Sequence, residues 1–253
     1  MEIILIAIIG LCIGSFLNVC IYRIPREESI SFPPSHCTNC NHKLQWYELI
    51  PVFSYIFLKG KCKNCKEKIS LQYPLIELTN AVLYVLVFLK YQYSLDTIKF
   101  MVLVSFLIVI GVIDLKTKFV YNSTMISMGI VAVVFLITYY AKLKIFPIDN
   151  ILGGILGLVI IGLIVFITRG MGEGDIEIAA ISGLFLGLKG EVFMLFFAVI
   201  LGGIVGAIIL IVKRKSGKTE MPFGPFLAIA AITAIFYGNF IINQYLTMNM
   251  IWK

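Results

Sequence analysis

Eight apolar runs dominate this chain, at roughly 3–22, 76–92, 98–114, 124–141, 150–168, 175–188, 191–212 and 222–243. A helix needs about 20 apolar residues to cross a ~30 Å hydrocarbon core, so runs of this length, in this number, leave few solutions. Inside lipid every backbone N–H and C=O must be satisfied internally, which only helices and closed barrels achieve. Barrel strands are ~10 residues long and alternate in polarity, and these runs do neither. The expected fold is an all-α polytopic membrane protein with about eight transmembrane helices. The runs at 76–92, 98–114 and 175–188 are the shortest. An even number of crossings puts both termini on one side. Composition agrees, being 60% hydrophobic against about 45–50% apolar for a soluble domain. The first run follows Met1-Glu2 directly, with no basic segment before it and no small-x-small site after it. It therefore reads as a retained helix and not as a removed signal peptide.

The net charge of +7 is not a nucleic-acid footprint, and no nucleic-acid partner is expected. In a membrane protein the informative quantity is where the cations lie, because cytoplasmic loops retain Lys and Arg. With the N-terminus outside, the inside loops hold Arg23, Arg26, Lys43, Lys59, Lys61, Lys63, Lys66, Lys68, Lys116, Lys118, Arg169, Lys213, Arg214, Lys215 and Lys218. The outside loops hold Lys90, Lys99, Lys142, Lys144, Lys189 and Lys253. Fifteen of the 21 cations thus fall inside. Both termini are expected outside, and the long polar segment 23–75 in the cytoplasm.

That segment holds four of the six cysteines, both histidines and five prolines. At ~50 residues it is too short for a generous hydrophobic core and needs a staple. CTNC at 37–40 and CKNC at 62–65 supply one. Two C-x-x-C turns bring Cys37, Cys40, Cys62 and Cys65 within reach of one tetrahedral Zn2+, with Zn–S near ~2.3 Å. A reducing cytoplasm argues against two disulfides. The competing readings are a redox pair or chance spacing. His36 and His42 read as surface residues, Cys12 and Cys20 as small buried side chains. The chain divides into a first transmembrane helix at 1–22, a zinc-binding domain at 23–75 and a seven-helix membrane domain at 76–253. GxxxG spacings at Gly10/Gly14, Gly153/Gly157 and Gly202/Gly206 mark close helix packing.

Only four residues are Asp. Asp96 and Asp149 fall in short outside loops, where a solvated charge is ordinary. Asp114 ends one apolar run and Asp175 begins another, and ionisable residues at such positions are costly and usually functional. The third span runs outside to inside and the sixth runs inside to outside, so both carboxylates reach the cytoplasmic face. If they meet in a partly dry site they cannot both ionise easily, and the pair shares a proton. One member then takes a proton from water while the other donates to a carbonyl oxygen. The consequence is peptide hydrolysis with no covalent intermediate. Gly172 and Gly174, in GMGEGD at 170–175, let the backbone turn and approach a substrate strand. The alternative for this loop is an ordinary inter-helix turn with a capping Asp.

The ordered motifs GSFLNVCIYRIP at 14–25, PPSHCTNC at 33–40, LIPVFSYIFLKGKCKNC at 49–65, ISLQYPLIELTN at 69–80, GVID at 111–114, GMGEGD at 170–175 and MPFGPFLAIAA at 221–231 resemble the bacterial prepilin peptidase family over nearly the whole chain. GxGD alone is weaker, being shared with presenilin-like intramembrane proteases. The resemblance implies that Asp114 and Asp175 are the catalytic aspartates of an endopeptidase of the bacterial inner membrane. It implies removal of the basic leader of prepilins or pseudopilins, after a Gly, at the cytoplasmic face. It also implies N-methylation of the new terminus with S-adenosylmethionine, an activity tied in the family to the cysteine-bearing N-terminal region. Asn18 and Glu77 are candidate methyl-transfer or substrate residues, with helix packing and a helix-dipole contact as their alternatives. Glu173, Glu177 and Glu220 are candidates for attracting a basic leader, with loop solubility as the alternative. Two departures from the family pattern stand out. DLKTKFVYN lacks the usual proline and acid after the first aspartate, and Glu177 replaces a customary Lys. Two competing functions remain: a peptidase without methyl transfer, and a cation-coupled transporter using intramembrane Asp.

Overall fold

The computed structural model describes residues 1–168, 171–213 and 221–251. Among them there is no strand, only two isolated bridges. The helices are α1 (Glu2–Arg23), α2 (Phe53–Phe57), α3 (Gln72–Tyr91), α4 (Leu95–Thr117), α5 (Asn122–Leu143), α6 (Ile148–Thr168), α7 (Glu173–Lys213), α8 (Gly224–Thr233) and α9 (Asn239–Ile251). A π-helical turn, Ala234–Gly238, joins the last two. Arg169, Gly170, Arg214, Lys215, Lys218, Glu220 and Lys253 lie outside the described residues.

Among the described residues seven helices are long and apolar enough to cross a membrane, against the eight runs read from the sequence. The difference lies in α7. It is 41 residues long, or ~60 Å at 1.5 Å per residue, twice a hydrocarbon core. Gly187 breaks it with φ 75 and ψ 174, a backbone region open to glycine and rarely to other residues. The Asp149 carboxylate lies against this glycine where a Cβ would stand. The two arms, 173–186 and 188–213, correspond to the runs at 175–188 and 191–212. They run in opposite directions. Gly183 of the first arm packs on Gly153 near the start of α6. Gly202 of the second packs on Phe223, whose neighbour Gly224 is bonded to Asp114 near the end of α4.

The chain forms two compact units, Met1–Val109 and Ile110–Lys253. In the first, α1 packs against α3 through the Gly10/Gly14 pair. A Cβ on Gly10 would lie 2.6 Å from the Ala81 Cα, and one on Gly14 would lie 2.7 Å from the Glu77 Cα. Glycine removes that obstacle, and the helix backbones approach closely. Buried polar groups in this seam are bonded, as an apolar surrounding requires. The Asn80 amide donates to the Gly10 carbonyl at 2.7 Å, and the Tyr84 and Ser105 hydroxyls pair at 2.9 Å. Arg23, also buried, donates to the Ser29 and Pro33 carbonyls at 2.9 and 2.6 Å. It thereby fixes the polar segment to the end of α1.

In the second unit the dominant seam joins α6 to the first arm of α7. A Cβ on Gly153 would sit 2.6 Å from the Gly183 carbonyl oxygen, and one on Gly157 would sit 2.6 Å from that of Ala179. Large lipid-facing side chains stay exposed, among them Ile155, Leu158 and Phe166 on α6. This is normal where the solvent is hydrocarbon.

Candidate active site

Asp114 stands on the last full turn of α4 and is 4% exposed. Its Oδ2 accepts the Gly224 N–H at 2.9 Å. Gly224 begins α8, with Pro225 inside the first turn, where a missing N–H costs nothing. The exposed amides of a helix start lean toward negative charge, so this end of α8 suits a carboxylate. A Cβ on Gly224 would lie 2.6 Å from the Asp114 Oδ2. Gly224→Ala is therefore expected to push Asp114 out of place and slow any reaction it serves by on the order of 100-fold. The check is substrate processing at unchanged membrane insertion. Processing at the parent rate would show that the close approach is dispensable.

Asp175 lies in the first turn of α7 and is also 4% exposed. Its N–H donates to the Gly172 carbonyl, and its Oδ2 accepts the Gly172 N–H, both at 3.1 Å. The capping alternative for this residue is thus geometrically real: the side chain reaches back to the amide at the helix entry, as in a capping box. The same contacts fix the carboxylate. The two aspartates stand 61 residues apart in sequence. Both lie within the second unit. Ile178, one turn after Asp175, reaches Gly224, closing the triangle of α4, α7 and α8. Among the described residues neither aspartate is in an ion pair.

The two loop glycines do different things. A Cβ on Gly172 would meet only the Asp175 Oδ2, at 3.8 Å, so the space beside it is open while its N–H holds that oxygen. Gly174 is inside α7, where a Cβ would lie 2.5 Å from that of Val120. Val120 belongs to the segment that joins α4 to α5. Its seat on Gly174 holds that segment to the start of α7 by packing. Glu173 and Glu177 are exposed near the entry of α7. Gly224, whose N–H holds Asp114, is a position that the sequence does not single out. Its signal was a glycine directly before a proline at the head of the last apolar run.

The first unit holds two further features. Cys37, Cys40, Cys62 and Cys65 place their sulfurs within 4.8 Å of one another. The Cys37–Cys65 and Cys40–Cys62 pairs are 3.8 and 4.0 Å apart. A tetrahedron with ~2.3 Å metal–sulfur arms has edges of ~3.8 Å, so the four thiols fit Zn2+. The two turns are near copies. Cys37 and Cys62 donate N–H to the His42 and Glu67 carbonyls at 2.9 and 2.8 Å. Asn41 and Lys66 then adopt positive φ, 54 and 62. The Asn39 and Asn64 amides reach across to the Cys65 and Cys40 sulfurs at 3.7 and 3.6 Å. The Glu67 N–H is the main group holding the Cys65 thiol down at about 6, while burial pushes Cys37 up to about 11. His42 instead meets Glu48 at 3.2 Å, and His36 meets the Pro34 carbonyl.

Beside this cluster is a cavity of about 380 Å³. Its walls include Asn18, Tyr22, Glu48, Tyr55, Tyr73 and Glu77. Asn18 is buried and bonds the Tyr73 carbonyl at 3.0 Å, so its helix-packing role is present in the geometry. Glu77 accepts the Val52 N–H at 2.7 Å.

Two family models match the chain: the bacterial peptidase A24 N-terminal domain over residues 8–91 and the type IV leader peptidase family over residues 101–207. Curated relatives named prepilin leader peptidase/N-methyltransferase align along most of their length. The one from Bacillus subtilis (strain 168) is 34% identical over 95% of this chain and 96% of its own. That from Pseudomonas putida is 30% identical over 93% and 90%, and that from Neisseria gonorrhoeae 31% over 89% and 87%. No solved structure matches significantly.

Proposed function

The chain belongs to the type IV leader peptidase family, and on that premise we propose that it removes the basic leader of prepilins or pseudopilins and methylates the amine so exposed. The observation that carries the peptidase half is the pair of buried aspartates from two distant helix ends, each held by a glycine N–H. The dyad acts as a unit sharing one proton. The ionised carboxylate takes a proton from water as the water oxygen attacks the scissile carbonyl. The protonated carboxyl donates to the carbonyl oxygen. Collapse of the tetrahedral intermediate returns a proton to the leaving amine and regenerates the pair. The Gly172 and Gly224 N–H groups keep both carboxylates oriented, which general acid–base catalysis needs before proton affinity matters. Exposed Glu173 and Glu177 give a basic leader a complementary surface at the entry of α7. Glu220, of the same expectation, lies outside the described residues.

We place both termini outside and the dyad and cysteine cluster at the cytoplasmic face of a bacterial inner membrane, supported by the bias of Lys and Arg toward those loops. The four thiolates hold Zn2+ in a structural role. The cavity beside them is our candidate site for S-adenosylmethionine, which supplies a methyl group on a sulfonium centre when bound. Glu48 and Glu77 offer carboxylates to a cationic ligand, and Tyr55 and Tyr73 add aromatic rings to the wall. At about 380 Å³ the cavity falls within the ~300–1,000 Å³ range of small-molecule sites.

The test is mass spectrometry of a prepilin incubated with the purified enzyme, with and without S-adenosylmethionine. The expected product has lost its leader in both samples and is heavier by one methyl group only in the second. Cleavage with an unshifted terminus would leave a peptidase alone. An intact substrate would reject both activities.

A further inference from the structure

Neither the cysteine cluster nor the cavity accounts for the apolar surface carried by the stretch between the two C-x-x-C turns. Trp46, Phe53, Ile56 and Phe57 are 76, 54, 62 and 80% exposed. Single exposed apolar residues are unremarkable, but a cluster marks an interaction surface. Phe53, Ile56 and Phe57 occupy positions i, i+3 and i+4 of α2, and therefore one face of it. The 3-10 turn Trp46–Glu48 packs against that helix.

The position of α2 says what meets this face. Val52, immediately before α2, donates its N–H to the Glu77 Oε2 at 2.7 Å, and the Tyr55 hydroxyl donates to the Ile69 carbonyl at 3.3 Å. Glu77 is in the second turn of α3, a helix apolar enough to cross the membrane. The exposed turn is therefore tied to the place where the chain enters lipid. Lys59, Lys61, Lys63, Lys66 and Lys68 follow directly, all exposed, with Glu67 the sole acid among them. Aromatic and branched apolar side chains next to lysines are the makeup of a surface that lies in a headgroup layer, and clustered lysines are drawn to anionic lipid. The same positive charge repels a basic leader peptide.

We propose that the face bearing Trp46, Phe53, Ile56 and Phe57 inserts into the headgroup layer of an anionic leaflet, so that the cysteine-bearing segment lies on the bilayer and does not stand free in water. This rests on the membrane reading of α1 and α3 and is independent of the catalytic one. The experiment uses the full chain with Phe57→Trp as its only tryptophan, in a background of Trp46→Phe and Trp252→Phe. It is reconstituted into vesicles of phosphatidylethanolamine and phosphatidylglycerol, with zinc content measured to confirm the domain is intact. Lipids brominated near the headgroup end of their acyl chains should remove most of the fluorescence, brominated phosphatidylglycerol more than brominated phosphatidylcholine at equal content, and iodide should remove little. Quenching by iodide and not by brominated lipid would overturn the proposal, leaving the face in water. Protection from both quenchers would also overturn it, by showing a protein surface on the face.

Discussion

Asp114→Asn and Asp175→Asn are each expected to abolish leader cleavage, with a loss of about 10²–10⁴-fold from a single substitution. An amide can neither take the proton from water nor share one with its neighbour, so one change disables both steps. Because the two carboxylates work as a unit, the double variant is expected to be no slower than either single one. Asn is nearly isosteric and keeps an oxygen for the Gly224 or Gly172 N–H. Thermal unfolding in detergent should accordingly stay close to that of the parent. Processing retained by either variant would remove the dyad from the mechanism, and the capping contact of Asp175 would then suffice to explain that residue. A transporter using intramembrane acids predicts a different outcome, a change in ion flux with no peptide product in any variant.

Joint replacement of Cys37 and Cys62 by Ser should empty the metal site and loosen residues 23–75, with methylation lost more than cleavage. The segment has little core of its own, and its largest apolar side chains are exposed. Its order therefore depends on the four sulfurs that lie within 4.8 Å of one another. Structural zinc contributes on the order of 10 kcal/mol or more to the folding of such small sites. Losing one sulfur from each turn breaks both loops of the staple. The cavity shares Cys37 and Cys62 in its wall, so it should lose its shape with them, while the dyad, built wholly within the other unit, should not. Metal analysis and limited proteolysis within 23–75 measure the first effect. Product mass and cleavage rate measure the second. Unchanged zinc content would reject the metal site.

Legibility differed from element to element. The transmembrane runs and the two C-x-x-C turns could be read directly, because both are local patterns. An apolar run long enough to span folds as a helix, and two cysteines with two residues between them form a tight turn. The GxxxG pairs were read as packing, and at Gly10, Gly14, Gly153 and Gly157 the contacts are of that kind. Gly187 was harder. A break of one residue leaves only a short polar signal, Lys189 and Glu191, so the hairpin within Glu173–Lys213 appears in the sequence as two neighbouring runs. Gly172 and Gly174 share a motif but not surroundings, since Val120 fills the space beside Gly174 alone. That contact joins residues more than fifty positions apart, and no local pattern encodes it.

From the sequence by itself came the membrane class, the helices, the cysteine staple and the two aspartates whose charge is out of place in an apolar setting. These follow from local rules of burial, periodicity and ligand spacing, each acting over a few turns of chain. Only the tertiary structure decided that Gly224 supplies the N–H for Asp114, that Val120 seats on Gly174, and that a cavity opens beside the cysteines. Each of these depends on which distant backbones approach within hydrogen-bonding or van der Waals distance. Such approaches are set by the packing of whole helices and not by the residues at the contact.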